Sequence, residues 1–425
     1  MLNKIKKYGI KQSIEIAGTH IVELVNKDIF NICKMFPICE NRIVLESEGD
    51  LSDNAYAIYD YMQKKEYLEK FNVVWLVGDV VSAKKRVFKN TKCVEKYPRH
   101  ISVRRSYYLA TCRWYIYDHC NVMAKLKKRE NQTLVYLSHG WGYKAAKGTG
   151  TQKDITRADY ITATGELSAT GLAEYWNEPI EKMLITGYPR IDYFYQEDGP
   201  IKGKINQKWA FDKYKKVVFW MPTFRQSKST WLSEDYIKNQ TGLPIFETIK
   251  SLKEFDEFLE RKSILLVFKL HHLQAELPVF KEKFKNIVII RDYELYVEGI
   301  QLYQLVSMAD AVISDYSSIT IDFLPINRPL IYTLDDYEAY NQSRGLFPQD
   351  AINYMPGYHV YNMKELEDSI EEISVGLDKY VQERAEIRPQ YHKYLDGMSA
   401  KRVLDVLGIK MNDKETLNKN ESDNI

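Results

Sequence analysis

Short runs of β-branched and aromatic apolar residues recur along the chain, each followed by a stretch whose apolar residues fall at helical spacing. That alternation constrains the fold more than any other feature. Arg42–Glu46, Val73–Val77, Leu134–Leu137, Tyr160–Thr164 and Met183–Thr186 read as buried strands, and Ala55–Met62 reads as a helix opened by the cap candidates Ser52, Asp53 and Asn54. Strands separated by helices cannot pair as hairpins, so the sheet they predict is mostly parallel and covered by helices. The polar stretch Gln196–Asp212 interrupts the pattern, which restarts at Val217–Trp220 and continues through Ile264–Phe268, Ile287–Ile290, Ala311–Ser314 and Leu330–Thr333. The expectation is an α/β chain of two Rossmann-like domains, 1–200 and 201–385, facing each other across a cleft. C-terminal helices over 386–411 and a disordered tail over 412–425 complete it. In such a fold the ligand sits at the carboxyl ends of the strands.

The 60 Lys and Arg residues nearly balance the 58 Asp and Glu, and a formal charge of +2 excludes a wholesale nucleic-acid binder. Five scattered cysteines (Cys33, Cys39, Cys93, Cys112 and Cys120) suit a reducing cytoplasm and offer no paired zinc spacing. No apolar run reaches the 18–20 or so residues a membrane span needs. Residues 1–35 form a Lys-rich amphipathic stretch, with Lys4, Lys6, Lys7 and Lys11 among isoleucines. It reads equally as a solvated helix packed on its own domain or as a contact with anionic lipid, where each basic residue adds about 1 kcal/mol.

Three strand ends carry chemistry. After LVYL comes Ser138-His139-Gly140-Trp141-Gly142-Tyr143-Lys144, where glycines let backbone approach a ligand and His139 has a side chain suited to proton transfer near neutrality. After Ala311–Ser314 comes Asp315-Tyr316-Ser317-Ser318, a helix start with Asp315 or Ser317 as cap, whose N–H groups and hydroxyls suit phosphate. After Ile264–Phe268 come Lys269 and His271, which share one face of an extended chain and suit a pyrophosphate; adjacent His271 and His272 point opposite ways there, and no acidic cluster accompanies them as a metal site would need. Arg225 in MPTFR, Arg190 in TGYPR and Arg344 beside Gly345 are further cations at loops.

In order, the segments SEGDLSDNAYAIYDYM, LSHGWGYKAAKG, TGYPRIDYF, MPTFR, KLHH, DAVISDYSSITIDF, RPLIYTLDDYEAY and RGLFPQDAINYMPG resemble the CDP-glycerol glycerophosphotransferase family, the teichoic-acid primases and polymerases. The resemblance runs from about residue 42 to 370 and implies a GT-B fold. It also implies transfer of an alditol phosphate, glycerol phosphate foremost, from a CDP-alditol to a hydroxyl of a lipid-linked or glycan acceptor with release of CMP. CDP-ribitol as donor is the alternative, followed by a GT-B nucleotide-sugar glycosyltransferase and a non-catalytic nucleotide- or polymer-binding regulator. By the resemblance His139 is the general base and His271 contacts the donor phosphates. Ser317 and Ser318 hold the pyrophosphate, with Asp315, Lys269, Arg344 and Arg225 beside them. Gly140, Lys144 and Arg190 fall on the acceptor side of the cleft. No metal or other cofactor and no nucleic-acid partner is expected, and the location implied is the inner face of the bacterial cell membrane, held peripherally through the basic N-terminus. The chain departs from the family at Trp141-Gly142-Tyr143, where Thr-Pro-Leu is usual, at His272, where Pro is usual, and at Leu346, where Phe is usual; the first two bear on the alditol and the acceptor.

Overall fold

A computed structural model of the chain describes residues 2–97, 100–119, 121–145, 157–223 and 239–411. The expected tail over 412–425 lies outside the described residues, as does Arg225. The described chain forms two sheets. The first contains β1 (Cys39–Glu46), β2 (Asn72–Val77), β3 (Lys92–Glu95), β4 (Cys112–Tyr117), β5 (Thr133–Tyr136), β6 (Tyr160–Ala163) and β7 (Met183–Ile185), in the order β3-β2-β1-β4-β5-β6-β7. The second contains β8 (Lys216–Trp220), β9 (Ile264–Phe268), β10 (Ile287–Ile289), β11 (Ala311–Ser314), β12 (Leu330–Thr333) and β13 (Tyr358–Val360), in the order β10-β9-β8-β11-β12-β13. Every strand pairing recorded between β1 and β6, and throughout the second sheet, is parallel. These are two Rossmann-like sheets, and the α/β expectation stands.

The sequence reading missed β3, β4 and β13. β4 is the instructive case, because CRWYIY lies at the centre of the first sheet and its tyrosines Tyr115 and Tyr117 are fully buried. A strand covered on both faces is recognised by a continuous β-branched or aliphatic run, and here Arg113 and the tyrosines break that run. The helix Asp53–Lys64 also differs from expectation: Ser52 is its N-cap residue but makes no side-chain cap bond. The carboxylate of Asp118, just past β4, accepts from Ala55 N instead, at 3.0 Å. A cap supplied from 63 residues away leaves no local trace in sequence.

By its internal contacts the chain divides into two compact units: the described parts of Met1–His139, Lys153–Thr162 and Ala400–Ile425, and those of Gly140–Gln152 and Ala163–Ser399. In the first unit, Ile43, Leu45, Ile58, Trp75 and Ile116 pack with Val403, Leu404 and Ile409, so the C-terminal helix belongs to this core. In the second, Val218, Trp220, Leu266, Phe268 and Ile313 pack with Phe255, Leu259, Leu366 and Ile370 from the covering helices. The helix Leu2–Cys33 buries Asn26, Phe30 and Cys33, and Ser106 Oγ on the helix Val103–Thr111 donates to Asn26 O at 3.1 Å. Ile21, Leu24 and Ile32 on the same helix remain exposed.

Candidate functional site

In each sheet the strand order reverses once, between β1 and β4 and between β8 and β11, and a parallel sheet opens a crevice at the carboxyl ends beside such a reversal. At the first reversal Asp118 accepts from Glu48 N at 3.2 Å as well as from Ala55 N, tying the loop after β1 to the end of β4. His119 follows Asp118 and lies 3.5 Å from Glu48 through Nε2. Its ring centroid is 5.0 Å from that of His139, which follows the neighbouring β5. The His139 loop is held from below: Ser138 takes a φ of 57°, Asn54 Nδ2 donates to Ser138 O at 2.8 Å, and the buried Tyr136 hydroxyl lies 2.6 Å from His139 Nδ1. His139 itself is half-buried.

The second reversal is built with hydroxyls. Asp315 is fully buried, and its carboxylate accepts from Thr223 N at 3.0 and 3.1 Å and from Thr223 Oγ1 at 2.7 Å. What it holds is therefore the Met221–Thr223 loop. Ser317 is the N-cap residue of the helix Ser318–Phe323, and neither it nor Asp315 supplies the expected side-chain cap bond. Both serines are half-buried.

Within this second unit the glycines after His139 are seated directly on that turn. A Cβ at Gly142 would lie 2.3 Å from Tyr316 O and 2.9 Å from Ser318 N. One at Gly140, whose φ is 95°, would lie 2.4 Å from Arg190 Nη2 and 2.7 Å from Ser318 Oγ. Only glycine permits this approach. Trp141 and Tyr143 are buried: Trp141 packs edge-on against Phe347 at 5.4 Å and its Nε1 donates to Lys144 O at 3.2 Å, while the Tyr143 hydroxyl donates to Tyr354 O at 2.9 Å. These departures from the family pattern therefore anchor the loop. Lys144 bridges Leu346, and Ala145 N donates to Gly345 O at 3.2 Å, which sets Lys144 beside the C-terminal end of the helix Tyr337–Arg344. Arg344 is half-buried, with Nε buried and without a hydrogen-bond partner among the described residues.

The other predicted cations lie differently from one another. Arg190 is buried and its Nη2 pairs with Asp322 Oδ2 at 2.6 Å, while its guanidinium lies 4.7 Å from the Tyr303 ring centroid. Lys269 pairs with Asp292 at 2.9 Å. His271 is exposed and its Nδ1 accepts from Leu273 N at 3.3 Å, capping the short helix His272–Ala275. The extended reading of His271 and His272 is thus corrected: the second histidine opens a helix, so strand alternation does not apply to the pair. Among the described residues, no three His, Cys, Asp or Glu side chains gather as a metal site would require.

Residues 29–408 match the family of CDP-glycerol:poly(glycerophosphate) glycerophosphotransferases. The chain belongs to this family. It is 26% identical over 388 residues to the teichoic acid glycerol-phosphate primase of Bacillus subtilis (strain 168), covering 83% of this chain and 88% of that one. It is 22% identical over 396 residues to the teichoic acid ribitol-phosphate primase of Bacillus spizizenii (strain ATCC 23059 / NRRL B-14472 / W23), covering 88% and 92%. Among solved structures, the wall teichoic acid polymerase TagF, in a histidine-to-asparagine variant soaked with CDPG, aligns with a TM-score of 0.71 at 19% identity. That alignment covers 96% of this chain and 98% of the other and shows a shared fold.

For this family member, sequence reasoning passed over Tyr136, His119, Asp118 and Asp322, and read Asn54 only as a cap candidate. Tyr136 sits inside a run read only as a strand, although its spacing of three from His139 was available. His119 lies two residues past β4, a strand the sequence reading missed, so no strand end marked it. Asp322 lies four residues beyond Ser318, on the same face of a helix, but its partner Arg190 is 132 residues away.

Proposed function

We propose that this glycerophosphotransferase-family chain moves glycerol phosphate from CDP-glycerol to the hydroxyl of a lipid-linked or glycan acceptor in the synthesis of a teichoic-acid-like or capsular polymer. The observation that carries the reading is the family match over residues 29–408. The acceptor oxygen attacks the β-phosphorus, the bond from that phosphorus to the bridging oxygen breaks, and CMP leaves with the electron pair. His139 takes the hydroxyl proton, a role worth about 10²–10⁴ in rate. The larger demand is charge, since the transferring group and the leaving CMP are both anionic. Ser317, Ser318, His271, Lys269 and Arg344 meet it without a metal ion, and Asp315 keeps the Thr223 loop beside the serine turn.

The alditol is open to a second reading, because the glycerol-phosphate and ribitol-phosphate relatives are similarly distant, at 26% and 22% identity. No helix among the described residues is long and apolar enough to cross a membrane. Contact with the inner membrane face through the lysine-rich N-terminal helix, whose Ile21, Leu24 and Ile32 are exposed, is part of the proposal. Incubation with CDP-glycerol and CDP-ribitol separately, each with acceptor lipid in anionic vesicles, tests it by CMP release. Release with CDP-glycerol is expected; release with CDP-ribitol alone would transfer the assignment, and release with neither would overturn it.

A further inference from the structure

A general base needs its proton-accepting nitrogen presented in the right tautomer, and in triad-type sites a third group, bonded to the other ring nitrogen, sets that tautomer. His139 has such a group within its own unit. The Tyr136 side chain projects from β5 fully buried, and its hydroxyl is 2.6 Å from Nδ1 of His139. Its ring stacks on Tyr117 of β4 at 5.2 Å between centroids, which leaves the phenol little freedom. The peptide between them is fixed as well, by the Asn54 bond to Ser138 O and the left-handed Ser138.

We infer that Tyr136 is a positioning residue for the transfer: its hydroxyl oxygen accepts the Nδ1 proton of His139 and so keeps the lone pair on Nε2, the nitrogen that takes the acceptor's proton. This rests on the reading of His139 as the base. The reverse arrangement, with the phenol donating to Nδ1, places the neutral ring's proton on Nε2 and disables it as a base. The two arrangements have the same heavy-atom distance and opposite consequences.

Two titratable groups that face His139 are Tyr136 and His119, the latter beside Glu48 at 3.5 Å. Asp118, next to His119, turns its carboxylate to Glu48 N and Ala55 N. In the proposed arrangement the protonated ring also donates through Nδ1 to Tyr136, which favours the charged form. Tyr136→Phe removes that acceptor and keeps the stacked ring. Turnover with CDP-glycerol should fall about 10²-fold, the scale of a misplaced catalytic group, with donor KM within about twofold. The acid limb of kcat/KM should move to lower pH. A packing role alone would lower turnover without moving that limb.

The independent readout needs no substrate. In the full chain labelled with ¹⁵N-histidine, and assigned by comparison with His139→Gln, Nδ1 of neutral His139 should show the shift of a protonated ring nitrogen, and Tyr136→Phe should shift the ring toward the other tautomer. A wild-type Nδ1 that is unprotonated, or an acid limb that moves to higher pH in Tyr136→Phe, would overturn the inference. If the wild type releases no CMP while the tautomer is as expected, the proposed activity fails and the positioning stands.

Discussion

The two sheets solve the same problem with different chemistry. At each reversal of strand order a fully buried aspartate, Asp118 or Asp315, sits just past the second strand and accepts from the loop that follows the first. In the first unit the groups placed beside that brace are imidazoles, His119 and His139; in the second they are the hydroxyls and N–H groups of the Ser317–Ser318 turn. The comparison separates framework from function. The aspartates hold loops, which any Rossmann-like sheet needs, while the side chains one step further out differ; in the proposed function the imidazole handles a proton and the hydroxyls a phosphate.

His139→Ala breaks the comparison at its chemical end and has the largest expected effect. CMP release should fall about 10²–10⁴-fold while CDP-glycerol binding, measured by calorimetry, stays near the wild-type value. Unchanged turnover would remove the first unit's imidazole from the reaction. Gly142→Ala tests the seating of the glycine loop on the serine turn. With a Cβ 2.3 Å from a backbone oxygen the turn must shift, so stability should drop by about 1–3 kcal/mol in denaturant titration and donor affinity should drop with it. A variant that binds donor normally would show the seating to be dispensable. Ser317→Ala and Ser318→Ala should each weaken donor binding by about 0.5–1.5 kcal/mol with little effect on Tm, since neither hydroxyl caps its helix.

The smallest expected effect contrasts His139 with a histidine of the second unit that is used for structure. His392 is fully enclosed, its Nε2 lies 2.8 Å from Ile321 O, and burial pushes its pKa below the usual imidazole range. A depressed histidine leaves the unfolded chain binding more protons, so stability holds above about pH 6.5 and declines as pH falls toward the depressed value. His392→Gln should flatten that decline in thermal melts between neutral and acid pH. An unchanged slope would show that other groups govern it.

Much of this was legible in sequence, for identifiable reasons. Strands such as VVWLV and ILLVF announce themselves because burial on both faces demands continuous β-branched or aliphatic runs, and β4 was missed because CRWYIY meets the same demand with tyrosines. His139, Ser317 and Ser318 were singled out because ligands of a parallel α/β sheet lie at strand ends, and strand ends can be read. Arg190 was found as a cation, but its burial against Asp322 could not be.

Sequence alone determined the layered architecture, the positions of the strand ends and the residue types available there, because those depend on local periodicity and on which side chains tolerate water. Tertiary structure alone decided which of those residues meet: Asp118 with Ala55, Asp315 with Thr223, Tyr136 with Tyr117, and Arg190 with Asp322. The reason is physical. A hydrogen bond between residues far apart in the chain depends on how whole strands and helices pack, and the spacing of residues along the chain carries no record of it.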